Sequence, residues 1–103
     1  MGIRNFERIP VFISVTIQGF SDMCVGTMTN LSESGMFIRT NKMLSPSDTD
    51  VEVMIPLDEG KLQVPARIIR TENIRDYCHG IGVLILNPPK KYLDFLDHLI
   101  TVL

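Results

Sequence analysis

With 103 residues, 45% of them hydrophobic and 21% charged, the chain has the length and composition of one small globular domain rather than a disordered segment. A net charge of −2 and a pI near 5.6 give no sign of a nucleic-acid polymer as partner, which usually demands a basic face, though a few local arginines could still hold a small anion. Two cysteines, Cys24 and Cys78, and two histidines, His79 and His98, show neither CxxC nor metal-ligand spacing.

The N-terminus, Met1-Gly2-Ile3-Arg4-Asn5-Phe6, lacks the charged-then-apolar pattern of a signal peptide, and no apolar run is long enough to span a bilayer. The expected setting is cytoplasmic, with no membrane insertion. There both thiols stay reduced, and both cysteines are expected as small buried apolar residues.

Strand signals begin at Val11, Ile13, Val15 and Ile17, which alternate with Phe12, Ser14, Thr16 and Gln18 and predict a strand with one buried face. A turn over residues 19–22 leads to a second strand from Met23 to Leu31. A break at residues 32–35 precedes a short third strand, Met36 to Thr40. Residues 41–49, with Ser45, Pro46 and Ser47, read as a loop.

Val51, Val53, Ile55 and Leu57 mark a fourth strand, and Asp58-Glu59-Gly60 a hairpin turn. The fifth strand carries Leu62, Val64, Ala66 and Ile68 on one face, and Pro65 implies a sheet edge or a bulge. A polar turn over residues 72–76 leads to a sixth strand with Ile81, Val83 and Ile85. Gly80 and Gly82 share its other face and fit close backbone approach or a tight corner.

The tail changes period. Tyr92, Phe95, Leu96, Leu99, Ile100 and Leu103 fall on one face of a helix. Asn87 is its expected N-cap, with Pro88 and Pro89 at its start. The expected fold is all-β with one helix: a six-stranded antiparallel (split) β-barrel closed by a C-terminal α-helix, in a single domain. Residues 1–8 form a flexible N-terminal segment, 9–86 the barrel and 88–103 the helix.

No catalytic constellation is present. The serines include no GxSxG, the carboxylates sit at turns and on the helix face, and there is no Walker loop or GxGxxG. The chain is therefore expected to bind rather than to catalyse, without a cofactor or a metal. A single-strand nucleic-acid binder is disfavoured by the acidic balance, the absence of Trp and only 7% aromatic residues.

Two short patterns carry binding chemistry. Arg4-Asn5-Phe6-Glu7-Arg8 is an RxxxR just before the first strand. Arginine offers a planar fork that fits phosphate bidentately, pairs with guanine O6 and N7, and stacks on purine faces. Arginines four apart in an extended segment lie on one side, roughly 13 Å apart, and converge if the segment curls. The alternative is two exposed charges paired with neighbours such as Glu7.

The second pattern, Asn30-Leu31-Ser32-Glu33-Ser34-Gly35, is an NxSxxG at the break after the second strand. Asn30 and Ser32, two apart, project from one face of a strand end and offer mixed donors and acceptors to a base edge. Gly35 permits close approach. The alternative is an Asx or Ser turn that ends the strand.

In their order and spacing, together with the late Gly80-Ile81-Gly82-Val83 strand, these motifs resemble the PilZ domain family over essentially the whole chain. The resemblance implies a bacterial, stand-alone receptor or adaptor for the second messenger cyclic di-GMP. Arg4 and Arg8 would hold its phosphates and guanines, Asn30 and Ser32 would contact a guanine edge, and Gly35 would shape the turn. Binding would order the N-terminal segment and signal to an unidentified effector protein. Ile3 stands where many binders in the family carry another basic residue, and Asn30 fills a position that also takes Asp. The competing expectation is a PilZ-like barrel without nucleotide binding that acts as a protein–protein interaction module.

Overall fold

A computed structural model describes residues 8–19, 23–42, 49–75 and 78–102. Expectations for residues 1–7, turn residues 20–22, Ser45, Pro46, Ser47, Asp76 and Leu103 fall outside that set. The described elements are β1 (Ile9–Gln18), β2 (Met23–Leu31), β3 (Gly35–Thr40), β4 (Asp50–Leu57), β5 (Gly60–Arg75), β6 (Cys78–Ile85) and α1 (Lys90–Val102). The fold is thus mostly β, with six antiparallel strands and one C-terminal helix.

The strands pair in the order β1-β2-β3-β6-β5-β4. β4 also pairs with β1, through Thr16↔Met54, Ile17↔Val53 and Gln18↔Glu52. Every strand therefore has two neighbours, and the inward faces share one core. Val15, Ile17, Met28, Ile38, Val53, Ile55, Val64 and Val83 are essentially removed from solvent. Each such side chain stabilises the fold by about 1.5–3 kcal/mol on transfer grounds. Neither Cys24 nor Cys78 forms a disulfide, so apolar burial rather than cross-linking holds the chain together.

Several local expectations are corrected. The turn expected over residues 72–76 is shorter, because β5 continues through Glu72↔Gly80, Asn73↔His79 and Arg75↔Cys78. Asn87 is not the N-cap: α1 starts at Lys90, and Pro89 supplies the first carbonyl to the Tyr92 and Leu93 amides at 2.9 and 3.1 Å. Asn87 instead takes a left-handed turn at φ 46, a conformation that asparagine tolerates better than most residues. Cys24 is buried, but Cys78 is only half-buried. It opens β6 beside the hairpin end, with the Arg39 Nη2 3.7 Å from its Sγ.

Pro65 sits where it does least harm. The β5–β6 ladder begins one residue later at Ala66↔Ile85, and the Pro65 carbonyl still accepts from the Leu86 amide at 3.0 Å. On α1, Tyr92 and Leu96 are buried and Leu93, Phe95 and Leu99 pack partly against the core. Ile100 is 43% exposed, so it lies outside the apolar stripe where the sequence had placed it.

Candidate ligand-binding site

Strict alternation along β2 and β5 would point Asn30 and Arg70 inward, because both follow even-numbered inward residues. Register shifts between Met28 and Asn30 and between Ile68 and Arg70 reverse this. A bulge adds a residue on one strand and re-aims the side chains beyond it, a device common beside binding sites. The extra residue in β5, Ile69, is left 63% exposed.

The re-aimed residues fall in one cross-strand row. Pro10 pairs with Asn30, Asn30 with Phe37, Phe37 with Gly82, and Gly82 with Arg70. Directly paired residues share a face, so Asn30, Phe37 and Arg70 stand together on the outer surface. Asn30 and Arg70 are separated by three strand spacings, roughly 14 Å.

Arg70 lies across Gly82. A Cβ there would lie 3.6 Å from the Arg70 Nε, so the arginine crosses the glycine and sets its Cζ 5.6 Å from the centre of the Phe37 ring. Phe37 in turn lies across Gly80, where any Cβ would overlap its Cζ. Glu72, 3.1 Å from the Arg70 Nε, tethers the guanidinium from the solvent side. Gly80 thus makes room for the aromatic ring, and the arginine plane is laid over that ring, an attractive arrangement for a flat ligand.

At the other end of the row, Arg8 donates from Nη1 to the Asn30 Oδ1 at 2.8 Å. Its Nη2 lies 3.5 Å from where a Cβ on Gly35 would sit, and that Cβ would also come within 2.8 Å of the Val83 carbonyl oxygen. Only glycine fits there without a shift. Arg8, Asn30, Phe37, Arg70 and Glu72 line one depression of about 350 Å³.

Ser32 is not presented beside Asn30. It is 4% exposed, and its polar groups tie the turn. Its amide donates to the Gly35 carbonyl at 2.8 Å, its hydroxyl donates to the same carbonyl at 3.4 Å and accepts from the Ser34 amide at 3.3 Å. Its own carbonyl accepts a 2.6 Å bond from the Tyr92 hydroxyl. Burial pushes the Tyr92 phenol well above its ordinary pKa, against an opposing pull from the Arg8 charge, so it stays a donor throughout the physiological range.

Of the five expected site residues, Arg8, Asn30 and Gly35 meet at this rim, Ser32 lies beneath it, and Arg4 is outside the described residues. Phe37, Arg70 and Glu72 were not singled out from the sequence. Their one signal was the Gly80/Gly82 spacing, which asks what occupies the space left over the strand.

Two further grooves, each about 530 Å³, lie elsewhere. One, lined by Thr16, Met23, Val25, Met54 and Pro56, has a single charged residue, Lys61. The other carries Asp50 and Glu52 and would repel an anion. Of these three, only the smaller depression brings two arginines together, and chemistry rather than volume selects it. No described helix is long and apolar enough to cross a membrane.

The PilZ domain model matches residues 3–101. The chain belongs to the PilZ domain family. This is a cyclic di-GMP-binding family of receptor and adaptor modules. Among solved structures, the PilZ domain of CeSA from a cellulose-synthesizing bacterium is similar at a TM-score of 0.71 and 23% identity, covering 92% of this chain and 95% of that one. The Bacillus subtilis inhibitor of motility, MotI/DgrA, is similar at a TM-score of 0.71 and 16% identity, covering 98% of this chain and 51% of that one. None of the curated proteins matches the chain. At these identities the structural likenesses speak for the PilZ fold.

Proposed function

We propose that this PilZ domain is a non-enzymatic cyclic di-GMP receptor that passes occupancy to a partner protein in the bacterial cytoplasm. The observation that carries the reading is the 2.8 Å bond from Arg8 to Asn30, set at the rim of a depression that also holds Arg70 and Phe37. Arginine has five N–H donors, and this bond uses one of them. The rest serve phosphate or a guanine edge, with Arg4 converging from the preceding segment as ligand binds.

Asn30 reads a guanine edge. Ser32 acts through the turn it ties, and Gly35 leaves the approach open. The Arg70 guanidinium, backed by Phe37, offers a plane on which a guanine stacks. A closed barrel, the reading that the cyclic strand pairing supports, supplies a rigid platform for the ligand. No cofactor, nucleic-acid polymer or membrane insertion is needed.

Calorimetric titration with cyclic di-GMP, with cyclic di-AMP and GMP as controls, tests the reading alongside Arg4→Ala and Arg8→Ala. Saturable binding of cyclic di-GMP that either substitution weakens at least tenfold supports it. Absence of heat and of any thermal shift at high ligand concentration rejects it.

The second reading, a protein-interaction module without nucleotide, draws on the outward apolar residues Phe12, Met23 and Val25, which are 85%, 59% and 62% exposed. It predicts no cyclic di-GMP binding, and partner binding that Phe12→Ala reduces. Under the first reading the same residues suit the effector protein, as expected for an adaptor.

A further inference from the structure

Helix α1 is joined to the turn beneath the candidate site by the Tyr92 hydroxyl. Tyr92, in the first helical turn, is 0% exposed. Its hydroxyl donates at 2.6 Å to the Ser32 carbonyl, 60 residues earlier in the chain. Ser32 is already committed on every other side. Its amide and hydroxyl close the turn onto Gly35, and the Ser34 amide closes onto its hydroxyl. The Ile85 amide fastens the same turn to the end of β6, donating to the Ser34 carbonyl at 2.9 Å.

A phenol in the core needs one polar partner, and many would do. This one chooses the residue whose turn sets where Asn30 ends and Gly35 begins. Arg8 is bonded to Asn30 at 2.8 Å and passes 3.5 Å from the Gly35 Cβ position. A shift of the Ser32 carbonyl therefore moves both sides of the rim against the arginine. A small displacement of a positioning group is expensive in binding, because the ligand's hydrogen bonds depend on sub-ångström placement.

We infer that Tyr92 is a positioning residue of the cyclic di-GMP site: its hydroxyl pins the Ser32–Gly35 turn in the receptive shape and makes α1 the element joined to that turn. It touches no ligand and acts through Ser32. The inference rests on the receptor reading for its binding consequence, but not for its structural one. Coupling between two sites is reciprocal, so a ligand that fixes the turn also fixes the start of α1.

Tyr92→Phe removes the hydroxyl and keeps the ring. Leu99→Ala is the control, since Leu99 packs against the same core from the same helix and is not among the groups bonded to the turn. Both variants are titrated with cyclic di-GMP at a temperature where circular dichroism shows each fully folded. Tyr92→Phe is expected to weaken binding about three- to tenfold, with the energy of one buried hydrogen bond as the ceiling because the ligand must then fix the turn itself, and Leu99→Ala to leave affinity unchanged whatever it does to the melting temperature. Equal affinity in Tyr92→Phe and the parent, or equal losses in the two variants, overturns the inference.

Amide spectra of the ligand-free proteins provide a second arm. The Ser32, Ser34 and Gly35 amides should shift and exchange faster in Tyr92→Phe than in Leu99→Ala. If the parent binds no cyclic di-GMP, the receptor reading fails and this arm decides the inference alone. An undisturbed turn in Tyr92→Phe overturns it.

Discussion

Asn30 spends its one amide oxygen on Arg8, at 2.8 Å, and that oxygen is also the acceptor a guanine N1–H or N2–H would seek. An aspartate at the same place has two oxygens, one for the arginine and one for the base, and hydrogen bonds to a charged group are worth about 1.5–3 kcal/mol. The added negative charge opposes an anionic ligand, but at a solvent-exposed rim screening keeps that penalty near 1 kcal/mol or below. Asn30→Asp is therefore expected to tighten cyclic di-GMP binding several-fold, and Asn30→Ala to weaken it about tenfold, both by calorimetry. A weaker Asn30→Asp than Asn30→Ala would show that Asn30 uses its amide N–H toward the ligand instead.

Glycines on one strand face carry different loads, and the element β6 separates them. At Gly80 a Cβ overlaps the Phe37 ring, whereas at Gly82 it meets only Arg70 at ordinary contact distance, 3.6 Å. Gly80→Ala must push the ring aside. Overpacking of this kind costs about 1–3 kcal/mol, and the displaced ring also removes the support under Arg70. Its melting temperature should fall and its affinity with it, while Gly82→Ala keeps both near the parent values. Equal melting temperatures would mean that Phe37 rotates away freely and is no fixed platform.

The cross-strand pair on β4 and β5 provides a contrast. Arg67 Nε and Asp50 Oδ1 are 2.8 Å apart, yet the side chains are 53% and 64% exposed. The hydrogen bond and charge of Arg67 lower the Asp50 pKa below its ordinary 3.8. A depressed folded-state pKa contributes stability that is present above the unfolded value and lost as pH falls through the folded one. Asp50→Asn should therefore match the parent's melting temperature closely at neutral pH in physiological salt. Any difference should vanish as pH falls below the lowered Asp50 pKa. A large loss at neutral pH would reveal a structural role for the pair.

These elements also show what the sequence could and could not reveal. Period-2 alternation was enough for the buried faces of β1, β4 and β6, because inward residues such as Ile17, Val53 and Val83 follow it without interruption. It was misleading at Arg70 and Asn30, whose outward aim depends on register shifts fixed by pairing with other strands. Ser32 looked like a ligand contact because two-residue spacing implies a shared face, but β2 ends at Leu31, so the rule no longer applied. Arg8, Asn30 and Gly35 were legible as motif residues, whereas the Phe37–Arg70 stack needed three strands to be aligned before it existed. Tyr92 read only as one apolar position in a helical stripe, since nothing local marks the partner of its hydroxyl.

For the whole molecule, a ligand that binds only the folded state adds its binding free energy to the stability of the fold. At a free concentration 100 times the Kd that amounts to about 2.7 kcal/mol, and for a chain of this size each kcal/mol raises the melting temperature by about 4–8 °C. Saturating cyclic di-GMP should therefore raise the midpoint by on the order of 10 °C, and Arg8→Ala should remove most of the shift. Cyclic di-AMP carries the same two phosphates without the guanine edges, so it separates anion capture from base recognition: a small shift with it and a large one with cyclic di-GMP assigns the specificity to Asn30 and its neighbours. Salt makes a further division. Raising ionic strength from 0.1 to 1 M shortens the screening length from about 10 to about 3 Å, which weakens the phosphate contacts of exposed Arg8 while leaving stacking on Arg70 and Phe37 largely intact. A shift that shrinks with salt but survives in part fits a site with both contributions. A shift abolished by salt would leave the phosphates alone as the ligand's hold on this fold.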